Sequence, residues 1–97
     1  MAQSSTTISG QKSFKAAITA TDIRFLNSSG TYSIITTSTS LANLSVRDLI
    51  TVTGTTNNNA TFTVKSVASD GLSITVEEVV TTEAAGASVS LTYVGFV

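Results

Sequence analysis

Few side chains in this chain could carry out chemistry, and they do not form a recognisable catalytic set. The sequence has no cysteine and no histidine, so the commonest bases and the thiolate or imidazole metal ligands are missing. Glu77 and Glu78 form its one adjacent pair of carboxylates, the residue type that glycosidases use. Neighbouring side chains of a strand point to opposite faces, so we do not expect these two carboxylates to converge.

The other acidic, glycine and aromatic residues fit structural roles better than a reactive site. Asp48 follows Arg47 just before a strand, a position where aspartate usually stabilises a turn. The acidic residues lack the spacing of a calcium loop, and the glycines lack that of a phosphate loop. Most aromatic residues stand in phase with the core, which leaves Phe14 and Phe96 for contact with a partner. We therefore expect no enzyme activity, no cofactor and no metal ion.

Alternation of apolar and hydroxylated residues predicts strands along most of the chain. The clearest case is ITVTGTTNNNATFTV at residues 50–64, in which two alternating segments flank a Gly/Asn turn. The segment 14–26 is harder to interpret, because its alanines could form a helical turn, but its alternation favours a strand. The predicted strands lie within 14–26, at 32–37, 49–53, 61–67, 72–76 and 88–93.

The turns and loops between these strands are also indicated by residue type. Asn27-Ser28-Ser29-Gly30 is predicted to turn because Asn and Gly accept positive φ. Asp70-Gly71 is typical of a two-residue type I′ hairpin. Residues 39–48 are predicted to form a loop or a short helical turn, and residues 81–87 a loop with at most one helical turn. Gly95-Phe96-Val97 is predicted to form an apolar tail. In the first loop we expect three apolar side chains to close the end of the core: Leu41, Leu44 and Val46.

These elements predict an all-β fold, a small antiparallel β-barrel or sandwich of about six or seven strands. Ninety-seven residues make a single domain. Residues 1–13 are polar and lack an apolar period. We therefore expect an extended N-terminal arm followed by one β domain at 14–97.

Composition bears on partners more than on chemistry. Serine and threonine supply about a third of the chain, and 11% of its residues are charged. So low a charge is unusual for a free monomer, and a small domain without disulfides often gains stability by assembly. We therefore expect a homo-oligomer. A net charge of −1 gives no attraction to nucleic acid, and neither a signal peptide nor a membrane span of about 20 residues is recognisable.

The run VRDLITVTGTTNNNATFTV at residues 46–64, together with TEAAGASV at 82–89, resembles a β-rich module of tailed-bacteriophage virion proteins. Some modules of this kind belong to capsid decoration (cement) proteins and others to tail components. The resemblance covers a little under half of the chain. The family pattern usually has glycine before the Asp of the first turn and after the asparagines, where this chain has Arg47 and Ala60. The resemblance implies a virion part and carries no catalytic residue with it.

The sequence leaves three functions open. The first is a capsid decoration protein, made in the host cytoplasm and bound on the capsid surface to the major capsid protein and to neighbouring copies of itself. The second is a tail or tail-tube subunit. The third is a glycan-binding adhesion module that uses Tyr32 and the turn residues Asn57, Asn58 and Asn59, which we expect to be exposed. For docking to a partner, the candidate residues are Lys12, Phe14, Lys15, Gly95, Phe96 and Val97.

Overall fold

The computed structural model describes residues 15–97, and this part of the chain contains strands, turns and loops but no helix. The seven strands pair antiparallel in the order β1-β7-β4-β5-β6-β3-β2. The prediction of a small all-β fold with six or seven strands is confirmed. The proposed arm at 1–13 lies outside the described residues. The strands are β1 (Ile18–Ala20), β2 (Arg24–Ser28), β3 (Thr31–Ile35), β4 (Asp48–Thr53), β5 (Thr61–Val67), β6 (Ser73–Val76) and β7 (Val89–Phe96).

The sheet is strongly curled because its two edge strands are consecutive in the chain. Only residues 21–23 separate the end of β1 from the start of β2. Four Cα steps span at most about 14 Å, whereas the edges of a flat seven-stranded sheet lie about 29 Å apart. The edge strands therefore come close together, but β1 and β2 are not paired with each other. Across residues 15–97 the sheet is curled without closing into a barrel.

Strand β5 connects the part of the sheet that contains β1, β7 and β4 to the part that contains β6, β3 and β2. Thr61 to Thr63 pair with β4, whereas Val64, Ser66 and Val67 pair with β6. The register shifts between Val64 and Ser66, which bends the strand as an inserted residue does. This bend turns the sheet back on itself and encloses the core.

The core is built from the inward positions of the alternating strands. In β4, for example, Ile50 and Val52 are buried while Thr51 and Thr53 are not. Leu41 and Leu44 close the end of the core as predicted, but the prediction for Val46 was wrong, because that side chain is 56% exposed. The buried apolar residues are Ile23, Phe25, Ile34, Leu41, Leu44, Ile50, Val52, Phe62, Val64, Ile74, Val76, Val80, Val89 and Leu91.

The two hairpin connections differ from each other in backbone conformation. Ser29 and Gly30 both have positive φ, at 52° and 91°, so the two-residue connection between β2 and β3 has the φ signs of a type I′ turn. At Asp70-Gly71 only the glycine has positive φ, at 71°. The type I′ prediction there was therefore wrong. Residues 68–72 form a longer loop, which the Gly71 N–H closes on the Ala68 carbonyl at 2.9 Å.

Strand β7 extends further than the alternation indicates. Gly95 and Phe96 belong to the strand and lie opposite Leu49 and Asp48 of β4, so the prediction of an apolar tail was wrong for these two residues. The register shifts between Leu49 and Ile50, and Gly95 has a φ of 139°. This bulge interrupts the period of two, which hides the continuation of the strand from a pattern search.

Candidate functional site

The docking candidates that lie within the described residues come together at one end of β4 and β7. Lys12 and Phe14 lie outside the described residues. Lys15 reaches Asp48, the first residue of β4. Asp48 in turn lies opposite Phe96 in the register of β4 and β7. The first and last described parts of the chain therefore meet in one place.

Lys15 is bound into this end of the sheet through its ammonium group. Its Nζ lies 2.6 Å from Asp48 Oδ2 and donates to Ser45 Oγ at 3.2 Å. The same nitrogen lies 5.3 Å from the centroid of the Tyr93 ring, within the range of a cation–π contact. The Asp48 side chain is only 6% exposed, and that of Lys15 is 21% exposed. Lys15 therefore anchors the chain at this end of the sheet, and its charge is already engaged.

Asp48 also organises the backbone in front of β4. Its Oδ2 accepts the N–H of Ser45 at 2.8 Å, and its own N–H donates to the Ser45 carbonyl at 3.0 Å. These reciprocal bonds close the turn that leads into the strand, which is the role expected from the position of Asp48. The buried carboxylate thus serves two functions, holding this turn and holding Lys15.

Four exposed apolar residues belong to the segments that meet at this end of β4 and β7, and we name this set of residues the C-terminal corner. Its parts are joined by the backbone, because the Val97 N–H donates to the Arg47 carbonyl at 2.9 Å. Large apolar side chains that remain in contact with water at one end of a sheet are one of the marks of a protein interface. The members of the C-terminal corner, each between 54% and 63% exposed, are Val46, Val94, Phe96 and Val97.

Val46 and Val94 belong to this corner although the sequence did not point to them. Val94 follows Tyr93, which continues the inward alternation of Val89 and Leu91. It therefore stands at an outward position, whereas the preceding outward positions of β7 carry Ser90 and Thr92. An apolar residue at an outward position was the one signal available.

The turn at residues 54–59 contains the three consecutive asparagines, and we name it the asparagine turn. Its side chains mainly hold the loop together and are not all free for binding. Asn57 and Asn59 are exposed, but the prediction for Asn58 was wrong, because only 3% of that residue is exposed. The Asn58 amide donates to the Thr81 carbonyl and to Glu83 Oε1, both at 2.9 Å, and accepts the Thr81 N–H at 2.8 Å. The Asn59 side chain is used inside the loop, bonding both backbone groups of Thr55.

Most of the carboxylates cap backbone N–H groups. The Glu77–Glu78 pair lies in a bend just after β6 and not in a strand. There, Glu78 accepts the Thr63 N–H at 2.6 Å and the Thr63 hydroxyl at 2.8 Å, while Glu77 is exposed. Five of the six acidic residues accept at least one backbone N–H: Asp22, Asp48, Asp70, Glu78 and Glu83.

Asp22 is the most heavily bonded of these carboxylates. It lies in the connection between β1 and β2, and its Oδ2 accepts the N–H groups of Thr37, Ser38 and Thr39. The Thr39 hydroxyl bond at 2.7 Å and then the Ser38 N–H bond are the main reasons why the pKa of Asp22 lies well below its ordinary value. Through these hydrogen bonds, the Asp22 carboxylate holds the connection between β1 and β2 against the loop that follows β3.

Glu83 joins the asparagine turn to the far edge of the sheet. Its carboxylate accepts the N–H groups of Thr56 and Asn57 at 2.8 and 3.0 Å. The Thr56 bond in particular lowers the pKa of Glu83. Its backbone forms two bonds with Phe25 of β2, each 2.9 Å long. One residue thus covers the open edge of β2 and holds the turn between β4 and β5.

Among residues 15–97 a small surface depression has a volume of about 100 Å³. Its volume lies below the roughly 300–1,000 Å³ of most ligand pockets. In residues 15–97 no three acidic, histidine or cysteine side chains are grouped so that they could hold a metal ion, and no helix is long and apolar enough to cross a membrane. The depression is lined by Gly30, Thr31, Tyr32, Lys65, Thr75, Val76 and Glu77.

Comparison of the chain with protein-family models, with curated proteins and with solved structures finds no match. Its function must therefore be argued from the residues themselves. The one feature that combines exposed apolar area with a fixed geometry is the C-terminal corner and its Lys15 anchor.

Proposed function

We propose that this chain is a non-enzymatic virion protein of a tailed bacteriophage, a capsid decoration protein that binds and bridges major capsid subunits. The observation that carries the proposal is the C-terminal corner, whose large exposed apolar residues lie on the segments next to the anchored Lys15. Such a protein acts by burying surface. An interface of about 1,600 Å² is enough to fix a subunit, and repetition over a shell multiplies the effect.

The backbone at Arg47 supports the resemblance to phage virion modules. Related modules usually carry glycine at this position, and Arg47 has a φ of 79°, a conformation that glycine adopts without strain. The two segments that carry the resemblance also pack together, because Glu83 binds the N–H groups of Thr56 and Asn57. The chain thus has the backbone of the glycine-containing pattern at the position where its sequence departs from it.

The low charge of the surface fits a protein that is covered by neighbours. Hydroxyls on the outer face pair with one another across strands, as Thr19 does with Ser90 at 2.9 Å and Thr51 with Thr61 at 3.0 Å. Hydroxyls that are already paired lose less when a partner displaces water. We therefore propose that copies of the chain also contact one another on the capsid.

A tail or tail-tube subunit is the alternative role within the virion. The glycan-binding alternative loses support, because it depends on three exposed asparagines and Asn58 is buried. The two virion roles differ in the component that holds the protein. Dissociation of purified virions into heads and tails, followed by mass spectrometry of each fraction, tests the proposal. We expect the chain in the head fraction. Its presence only with tails would replace decoration by the tail role, and its absence from both would overturn a virion role.

A further inference from the structure

Strand β7 comes last among the strands in sequence but lies inside the sheet. It is inserted between β1 and β4, and it pairs with Ile18–Ala20 on one side and with Asp48–Thr53 on the other. Its residues Val89 and Leu91 are buried in the core. A domain from which β7 had been withdrawn would therefore expose the edge of β4 and leave a gap in its core, a site that only a strand of matching pattern can fill.

The connection that leads into β7 has a fixed part and a free part. Residues 78–83 are bonded to neighbouring elements, and Glu83 forms two backbone bonds with Phe25 of β2. Residues 84–87 are all exposed and make no backbone hydrogen bond within the described chain. A Cβ added at Gly86 would meet no atom within 4 Å, so the backbone there is surrounded by open space. Residues 84–87 therefore form a hinge between the fixed part and β7, and we name them the β7 hinge.

We propose that two copies of this chain exchange β7, each inserting this strand between β1 and β4 of the other. The exchange keeps every pairing of β7 and the burial of Val89 and Leu91, because the vacated site matches the strand of an identical chain. Only the β7 hinge has to change its path. This exchange specifies the contact between copies that the proposed function includes.

The length of the hinge limits how far the strand can travel. From Glu83, which is held by β2, to Val89 at the start of β7 there are six Cα steps, and these span at most about 21 Å. The strand can therefore reach only a copy that packs directly against the first. A short hinge also favours exchange over a long one, because it leaves the strand few paths back to its own sheet.

Crosslinking between β4 and β7 shows which chain supplies the strand. Thr51 of β4 lies opposite Thr92 of β7, and the sequence has no cysteine, so Thr51→Cys with Thr92→Cys introduces the only two thiols. After treatment of the full-length double variant with a short bis-maleimide, we expect a covalent dimer on a denaturing gel. A crosslinked monomer would show that β7 returns to its own sheet and would overturn the proposal.

The matched control joins β4 to its other neighbour. Thr61 of β5 lies opposite Thr51, is exposed like Thr92, and belongs to a strand that is not exchanged. Thr51→Cys with Thr61→Cys should therefore give crosslinked monomers. Equal amounts of dimer from both double variants would mean that copies collide without exchanging a strand, which would also overturn the proposal. The test uses no viral component, so its failure is distinct from a failure of the decoration role.

Discussion

Lys15 and Asp48 are 33 residues apart in the chain, and their Nζ and Oδ2 atoms lie 2.6 Å apart at the end of β4. Phe96 lies opposite Asp48 on the neighbouring strand. This single ion pair therefore fixes the start of the described chain beside its end. The arrangement brings two of the docking candidates, Lys15 and Phe96, to the same end of the sheet.

The Lys15–Asp48 pair should contribute measurably to stability because it is largely shielded from water. Exposed ion pairs contribute about 0.2–1 kcal/mol, whereas hydrogen bonds to charged groups contribute about 1.5–3 kcal/mol. A double-mutant cycle with Lys15→Met and Asp48→Asn, measured by urea unfolding, should give a coupling free energy in the second range. A coupling below about 0.5 kcal/mol would show that Lys15 is not held as described.

The two neighbouring asparagines of the turn should differ sharply in their importance. Asn58→Ala removes three hydrogen bonds from a buried site and should lower the free energy of unfolding by about 2–3 kcal/mol. Asn57→Ala changes an exposed side chain and should stay within about 0.5 kcal/mol. Thermal and urea unfolding of both variants provide the measurement. Equal effects would contradict the assignment of Asn58 as the residue that joins the turn to Thr81 and Glu83.

Arg47 offers a test of the backbone argument. A non-glycine residue at its φ of 79° carries a strain of about 1–2 kcal/mol, so Arg47→Gly should stabilise the protein by about 0.5–1 kcal/mol after the added freedom of the unfolded chain is subtracted. Ala60→Gly restores the other family glycine at a position without positive φ. It should destabilise by about 0.5–1 kcal/mol. Effects of the same sign in both variants would contradict the conclusion that Arg47 occupies a backbone conformation suited to glycine.

Asp22 and Glu83 should make the fold sensitive to acid. Hydrogen bonds hold the pKa of each carboxyl below its ordinary value in the folded protein, so the unfolded chain binds more protons in the acidic range. Their contribution is fully present above the unfolded pKa values of about 4 and is lost as the pH falls below them. Urea midpoints measured from about pH 7 down to about pH 2 should decline over this range.

Replacement of the carboxyl group isolates the contribution of Asp22. Asp22→Asn should lower the urea midpoint at neutral pH and make its decline with acid shallower, because one proton-linked group has been removed. Glu77→Gln, at an exposed carboxylate, is the control and should follow the parent protein. If Asp22→Asn leaves the decline of the urea midpoint with falling pH unchanged, the Asp22 carboxylate does not hold the β1–β2 connection in the way described.

The strands could be predicted because their burial has a period of two. Ile50 and Val52 alternate with threonines, and only one register of β4 buries both. The same reasoning gives no warning of the β7 bulge, after which the register shifts and Phe96 lies opposite the buried Asp48. Local pattern therefore predicts an element up to the point where a bulge changes its phase.

Contacts between distant residues were beyond the reach of the sequence. Asn58 is buried because residues 80–83 cross over the turn, and its partners are 23 and 25 positions away. Lys15 meets Asp48 because β7, the last strand of the chain, is inserted between β1 and β4. Both contacts follow from the strand order, which alternation of residue types does not specify. An unusual polar cluster such as three consecutive asparagines indicates a turn, but not which of its amides is buried.

Occupancy on capsids tests the central claim most directly. Decorated heads would be stripped of the protein, mixed with the parent chain, Phe96→Lys or Val79→Lys, and sedimented to count the copies that rebind. Both variants add a charge at an exposed apolar position, at 62% and 66% exposure, and only Phe96 belongs to the C-terminal corner. We predict that Phe96→Lys lowers occupancy at least about tenfold, a loss of about 1.4 kcal/mol, while Val79→Lys rebinds like the parent. Equal rebinding of all three proteins would contradict docking through this corner.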